Sequence, residues 1–251
     1  MIKLSVAIIA FNEEKNLPDC LLSVKDVADE IVVVDSNSTD KTEEIAVSLG
    51  AKVIQKPFHS YVDQKNFATE STSFQYVLSI DADERLSPEL IQSILEVKKT
   101  WGCSAYSMNR KNYYSGQWIR YGGWYPDIKV RLFEKAKARW TGKILHESLM
   151  VHDGEKVCHL NGDLLHYTYS SLADHKKRSE KYARLAALAN VDRSLYSLYF
   201  KMILSPSFRF FKQYILQFGY LDGVRGWYIA KISFLETYRK YRSAINLKLA
   251  K

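Results

Sequence analysis

Cysteine is nearly absent from this sequence, with Cys20, Cys103 and Cys158 the only three in 251 residues. They are odd in number, far apart and without metal-ligand spacing, which predicts reduced core or near-core thiols in a cytosolic protein. Long apolar runs are missing too: none approaches the ~20 residues that a spanning helix needs. The apolar stretch 4–11 is short and meets Glu13 and Glu14, so no signal peptide is expected there. Glycine is absent where nucleotide folds most need it. The turn after the first apolar run reads Ala10-Phe11-Asn12-Glu13-Glu14, not Gly-x-Gly-x-x-Gly, and no Gly-Lys-Ser/Thr loop occurs. Finally, acids are scarce towards the end. Residues 171–251 carry 16 Lys/Arg against 5 Asp/Glu, and residues 1–170 carry 20 against 23. A near-neutral body with a basic tail predicts an anionic partner surface, nucleic acid or membrane phospholipid.

What is present alternates. Leu4–Ala10 is a buried strand pattern, 16–27 has helical spacing, and 30–34 is a second strand ending in Asp35-Ser36-Asn37-Ser38. Asp40-x-x-Glu43 has the form of an N-cap with its reciprocal partner for a helix over 41–49. A third strand over 51–55, a helix over 62–69, a strand from Tyr76 and a helix from Ser87-Pro88 to about 100 complete the first hundred residues. Such alternation predicts a parallel sheet wound in βαβ units, with its ligand outside the carboxyl ends of the strands. Phe11-Asn12-Glu13, Asp35-Ser36 and Asp81-Ala82-Asp83 all fall on that rim.

The organising stretch is Tyr-Val-Leu-Ser-Ile-Asp-Ala-Asp-Glu-Arg, residues 76–85. A buried strand runs into Asp81, Asp83 and Glu84. Two carboxylates at i and i+2 repel unless a cation lies beside them. Hard oxygen ligands of this kind suit Mg²⁺ or Mn²⁺ shared with substrate phosphates, although an ordinary acidic turn has the same sequence. Without a glycine nest to cradle a diphosphate, a metal at Asp81 and Asp83 is the natural substitute. Lys65, in Gln64-Lys65-Asn66, is either a charge near that site or a solvated helix residue.

In order and spacing, Ser5-Val-Ala-Ile-Ile-Ala-Phe-Asn-Glu-Glu, Val32-Val-Val-Asp35-Ser-Asn-Ser-Thr-Asp40 and Asp81-Ala-Asp83-Glu84 resemble the family-2 glycosyltransferases. The resemblance implies the GT-A fold: an α/β, Rossmann-like, mostly parallel sheet in residues 1–170, followed here by a basic, aromatic helical extension over 171–251. It also implies inverting transfer of a sugar from a nucleotide donor. By position, Phe11, Glu13 and Asp35 would hold base and ribose, Asp81 would lie by the ribose or a metal water, and Asp83 would ligate Mg²⁺ or Mn²⁺.

Beyond residue 100, Gly122-Gly-Trp-Tyr-Pro-Asp127, Arg131-Leu-Phe133, His146-Glu147 and Gly219-Tyr-Leu-Asp-Gly223-Val-Arg-Gly226 resemble bacterial enzymes that add glucose to the heptose of the lipopolysaccharide inner core. That implies a UDP-sugar donor, UDP-glucose first, and a lipid-linked acceptor. Arg139-Trp140 lacks the upstream Gln of the polymerising synthases, which favours single transfer. The Glu-Asp pair that presents the base in many members is missing. Glu147, with His146 as a polar neighbour, is the first candidate base and Asp127 the second; a strand-edge pair and a turn after Pro126 are the plain alternatives. His166 could complete a metal shell or be a satisfied core histidine. Trp118, Tyr121, Trp124 and Tyr125 could stack on sugars or simply pack.

In the tail, a helix over 172–190 is expected to expose Lys176, Lys177, Arg178, Lys181 and Arg184. The later aromatics mixed with Lys and Arg fit a membrane interface, peripheral on the inner face of the cytoplasmic membrane; a packed appendage with a solvated face is the alternative. No recognised nucleic-acid fold is present, so no nucleic-acid partner is expected. Two other functions fit parts of the pattern: a membrane-docking protein with a vestigial sugar-nucleotide site, and a sugar nucleotidyltransferase.

Overall fold

The structure is a computed structural model that describes residues 1–143 and 146–250, with the side chains of Lys143 and His146 also outside the description. It divides into two compact units. The first is Met1–Arg110 with Ile128–His166, and the second is Lys111–Asp127 with Tyr167–Lys251.

The first unit opens with strands β1 (Leu4–Ala10), β2 (Glu30–Asp35), β3 (Lys52–Gln55) and β4 (Tyr76–Asp81). These alternate with helices α1 (Leu17–Val24), α2 (Thr42–Ser48) and α3 (Tyr61–Glu70). β5 (Glu84–Leu86) and α4 (Pro88–Lys99) follow, then β6 (Ala105–Tyr114), whose end falls in the second unit together with β7 (Gln117–Trp118), and β8 (Asp127–Glu134). The hairpin β9 (Ala138–Lys143) and β10 (His146–Val151) precedes β11 (Val157–Tyr169). The sheet order is β3-β2-β1-β4-β8-β6-β11-β5, with β7 added on β6. β3, β2, β1 and β4 are parallel, and β8 returns antiparallel to β4. The strands are Val- and Ile-rich because both faces are covered. Leu4, Val6 and Ile8 point into the larger core with Leu17, Leu21, Leu78, Ile80, Leu90 and Ile94. Ala7, Val32, Val34, Val77 and Phe133 point into the smaller one.

α1 and α2 are shorter than their periodicity predicts, and α3 is one residue longer at each end. Asp40 does not cap α2. It accepts from the backbone N–H and hydroxyl of Thr42 and from the backbone N–H of Glu14, so it joins two loops instead. Ser60 and Ser87 are true N-caps, accepting from Asp63 and Leu90.

The cysteines also differ from expectation. Cys103 and Cys158 are joined as a disulfide, with Cα atoms 6.1 Å apart, and only Cys20 is a free, buried thiol. Two thiols 55 residues apart meet because the return of β11 along the sheet brings them together, a pairing that sequence spacing cannot register.

The second unit contains α5 (Leu172–Leu188), α6 (Leu195–Phe211) and α7 (Gly223–Leu249), with a π turn at Lys212–Leu216 and a 3-10 turn at Gly219–Asp222 between the last two. Ala187, Leu198, Tyr241, Ala244 and Ile245 form its helical core. The basic residues expected to be exposed on α5, Lys176, Lys177, Arg178, Lys181 and Arg184, are so. Segment 111–127 packs into this unit. Tyr114 and Ile119 bury against Ile229, and buried Asp222 accepts from the backbone N–H groups of Arg120 and Tyr121. Gly226 lies so close to the preceding turn that a Cβ there would sit 1.8 Å from the Gly219 carbonyl, and one on Gly219 would sit 2.6 Å from that of Gln213. Only glycine permits that approach. Trp124 packs edge-on to Tyr114, and Trp118 against Tyr113 and Tyr167, so these tryptophans are packing residues here; Tyr121 is more open. No helix among the described residues is long and apolar enough to cross a membrane.

Candidate active site

The parallel register places the acids. Ala10 pairs with Asp35 on one side of β1, and Ile9 with Asp81 on the other. Both aspartates therefore emerge at the carboxyl end of the sheet, beside the turn that carries Phe11 and Glu13.

Phe11 is exposed. Asn12 adopts a positive φ of 54°, and its side-chain oxygen accepts from the Thr39 N–H at 2.8 Å. Its own N–H donates to Ser38 at 2.8 Å. Glu13 N–H donates to Thr42 Oγ1 at 2.8 Å, and its carboxylate accepts from Asn16 at 2.7 Å. Asp35 is buried and accepts from both the N–H and the hydroxyl of Ser38. Asp35 thus shapes the second loop, and the second loop holds the first.

Around β4 the acids have separate partners. Asp81 lies 2.9 Å from Lys65 Nζ and 3.1 Å from Arg131 Nη2. Burial alone would raise its pKa, but Lys65 and then Arg131 hold it well below the usual carboxylate range. Glu84 is fully buried, and it accepts from Arg131 at 2.8 Å, from Arg110 at 3.3 Å and from the Asp81 N–H at 3.0 Å. It closes the Asp81–Glu84 turn from inside. Burial lowers the Arg131 pKa, but Glu84 and Asp81 more than reverse that, so the guanidinium stays charged. Cys20, beneath this turn, is pushed up by burial and then by Glu84, Asp83 and Asp81, so its thiol stays protonated.

Asp83 faces elsewhere. β11 runs antiparallel to β5 with His166 opposite Glu84, which sets the imidazole beside the residue just before β5. His166 Nε2 is 3.3 Å from an Asp83 oxygen, and both side chains are partly open. The cation that the sequence places between Asp81 and Asp83 is therefore supplied at Asp81 by lysine and arginine. One carboxylate and one imidazole at Asp83 and His166 suit Mn²⁺ or Mg²⁺ with the rest of the sphere left to phosphate and water. Among the described residues no group of three or more His, Cys, Asp or Glu converges to hold a metal ion.

Lys65 is 2 % exposed, not solvated. Its ammonium also lies 3.4 Å from Glu147 and over the Trp140 ring at 4.6 Å. The neighbouring residues explain its aim. Gln64 donates to Ser36 and to the Lys56 carbonyl. Asn66 exchanges two hydrogen bonds with the backbone of Trp140, at 3.0 and 3.1 Å. Gln64-Lys65-Asn66 thus ties α3 to the loop after β2, to Asp81 and to β9. Glu147 reaches the cluster because β10 pairs it with Gly142 on that same hairpin. The contribution expected of His146 lies outside the described residues. Asp127 belongs to the second unit.

Glu84, Arg131, Arg110 and Trp140 were not among the residues sequence reasoning assigned to the site. One signal was available: Arg131 stands between Val130 and Leu132-Phe133 in a strand, where a charge needs a buried acid. Replacing Arg131 with methionine should leave buried Glu84 with only the Arg110 guanidinium, 3.3 Å away, and should cost about 3–5 kcal/mol. Urea unfolding checks this, and a loss below ~1 kcal/mol would show that Glu84 does not depend on Arg131.

Residues 5–151 match the model of Glycosyl transferase family 2. The chain is 32% identical over 237 residues to an uncharacterised glycosyltransferase of Rickettsia typhi, covering 90% of this chain and 81% of that one. It is 28% identical over 262 residues to the lipopolysaccharide core biosynthesis glycosyltransferase LpsC of Rhizobium meliloti, covering 95% and 93%. A solved glucosyl-3-phosphoglycerate synthase from Mycobacterium tuberculosis, in complex with Mn²⁺ and uridine-diphosphate-glucose, is 25% identical over 45% of this chain and 44% of its own, with a TM-score of 0.37. That last likeness is too slight to carry weight. The chain belongs to glycosyl transferase family 2. It is a transferase enzyme of GT-A fold, an α/β unit followed by C-terminal helices.

Proposed function

We propose that this glycosyltransferase moves a hexose, glucose from UDP-glucose first among the candidates, to a lipid-linked glycan such as the heptose of a lipopolysaccharide inner core. The observation that carries the reading is the meeting of a pair and a trio at the end of β4: Asp83 with His166, and Lys65 between Asp81 and Glu147. The similarity to LpsC over nearly the whole of both chains supports the acceptor class.

Phe11, Glu13 and Asp35 would line the base and ribose, with Asp81 by the ribose, held in place by Lys65 and Arg131. Asp83 and His166 would hold Mg²⁺ or Mn²⁺. Bound there, the ion neutralises charge on the leaving diphosphate. Glu147 would take the proton of the acceptor hydroxyl as its oxygen attacks the anomeric carbon, while the bond to the diphosphate breaks on the opposite face and UDP leaves with the electron pair. Lys65, clamped between Asp81 and Glu147, fixes where that carboxylate stands. The enzyme would work as a cytoplasmic, peripheral protein on the inner face of the cytoplasmic membrane, its basic tail against anionic lipid.

Calorimetric titration with UDP tests the donor reading. Binding should require Mg²⁺ or Mn²⁺, and slow hydrolysis of UDP-glucose should accompany it. UDP binding indifferent to the metal would overturn the assignment to Asp83 and His166; no binding at all would overturn the uridine donor.

A further inference from the structure

The aromatic residues of the tail do not all face the same way. Phe210 and Tyr214 pack against each other and against Trp227 at 5.3–5.6 Å; Phe210, Tyr214, Phe234 and Tyr238 are only partly open, while Trp227 keeps an exposed edge. On α6 a larger set is exposed: Tyr196 (83%), Tyr199, Phe200, Ile203 (65%), Leu204, Phe208 (64%) and Phe211. Their spacing of three, four, seven and eight residues places them along one side of α6. The other side, through Leu195, Leu198 and Met202, packs on the helical core, and Pro206 is buried. The helix therefore buries one apolar side and leaves a second, largely apolar side unburied, with Lys201 and Arg209 at its margins. At 1.5 Å per residue the stripe is ~25 Å long. It continues into Ile215, Leu216, Phe218, Tyr220 and Leu221, all exposed. Patches of this extent mark interaction sites.

Charge identifies the occupant. Between residues 193 and 231 the sequence has six basic residues, Arg193, Lys201, Arg209, Lys212, Arg225 and Lys231, and one acid, Asp222; Arg209 is paired with Glu236 of α7, which leaves the other five as the net positive charge of this face. Asp222 is buried and engaged by backbone N–H groups. A second copy would meet this face with the same face, bringing cation against cation. An anionic bilayer offers hydrocarbon to the stripe and phosphates to its basic flanks. The helix is not one that can cross a membrane, so it lies in the plane of the interface.

We infer that the exposed face of α6, from Tyr196 to Phe211 and on to Leu221, is the surface by which the enzyme sits in an anionic lipid bilayer. This rests on the peripheral-membrane reading above and names the side chains that enter the lipid. The stripe, not the basic face of α5, supplies the salt-resistant part of the attachment.

The test is co-sedimentation of the full chain with vesicles of phosphatidylethanolamine and phosphatidylglycerol, across a salt series. The parent is compared with a triple variant, Phe200→Gln, Ile203→Gln and Leu204→Gln. Glutamine is a good helix former, and all three sites are exposed, so the circular dichroism and UDP-glucose hydrolysis of the variant should match the parent. Its vesicle partitioning should fall at least about ten-fold, since three large apolar side chains no longer leave water. Its residual binding should vanish with added salt. A second variant, Lys176→Gln, Lys177→Gln and Lys181→Gln on α5, should retain the salt-resistant binding. If the parent binds vesicles and the α6 variant binds within two-fold of it, the stripe assignment fails while the membrane reading stands. If the parent does not bind vesicles, both fail. If sedimentation velocity shows a concentration-dependent dimer that only the α6 variant loses, with lipid binding unchanged, the stripe is a self-interface and the inference is overturned.

Discussion

An Asp83→Ala variant should lose glycosyl transfer by about a thousand-fold or more while keeping the parent's unfolding midpoint. The two expectations come from different features of one turn. Asp83 is partly open and faces His166, so it contributes little to the buried charge network, which is built on Asp81, Glu84, Arg131 and Lys65. Removing it leaves no buried cation unpaired. On the proposed mechanism the charge on a departing diphosphate must still be met, and without the carboxylate the ion that would meet it would be left with His166 alone. A term of several kcal/mol in the transition state is about three orders of magnitude in rate. The same variant should lose the metal dependence of UDP binding in calorimetry, a readout that does not pass through turnover. Near-parental transfer in Asp83→Ala would sink the metal assignment. An Asp81→Ala comparison sharpens the point: it strips Lys65 and Arg131 of a shared partner, so its loss of activity should come with a loss of stability.

Glu147→Gln should lower kcat about a hundred- to ten-thousand-fold with the KM for donor almost unchanged. Glutamine keeps the size of the side chain and an oxygen that can still accept from Lys65, 3.4 Å away in the parent. It cannot accept the acceptor's proton. The split between kcat and KM separates a base from a residue that only shapes the pocket. Asp127→Asn is the control with teeth, because Asp127 is the rival. If it reproduces the collapse and Glu147→Gln does not, the roles are reversed.

How far the sequence could be read depended on whether a relation was local or crossed the sheet. The alternation of Val-rich strands with amphipathic helices up to residue 100 was legible, since period and burial are properties of short windows. So were the three polar turns, because a parallel sheet puts the ends of its strands on one rim. The register then aligned Asp35 with Ala10 and Asp81 with Ile9. Asp40 shows the limit of local reading: its spacing to Glu43 is that of a capping box, yet its carboxylate is taken by Thr42 and Glu14. Lys65 shows it more sharply. On the helix alone it was as well placed in water as in the site, and only the clamps of Gln64 and Asn66 bury it.

By itself, then, the sequence determined the family, the class of fold and the turn on which the candidate site is built, because these follow from patterns within a few residues. The partners of each charge were decided only by tertiary structure. Arg131 reaches Asp81 and Glu84 from a strand some fifty residues later, His166 reaches Asp83 through the antiparallel pairing of β11 with β5, and Glu147 reaches Lys65 by a hairpin. The same holds for Cys103 with Cys158 and for which tail aromatics face outward. Electrostatic and apolar contacts act through space at a few ångströms, and nothing in chain order records which distant residues the sheet will bring that close.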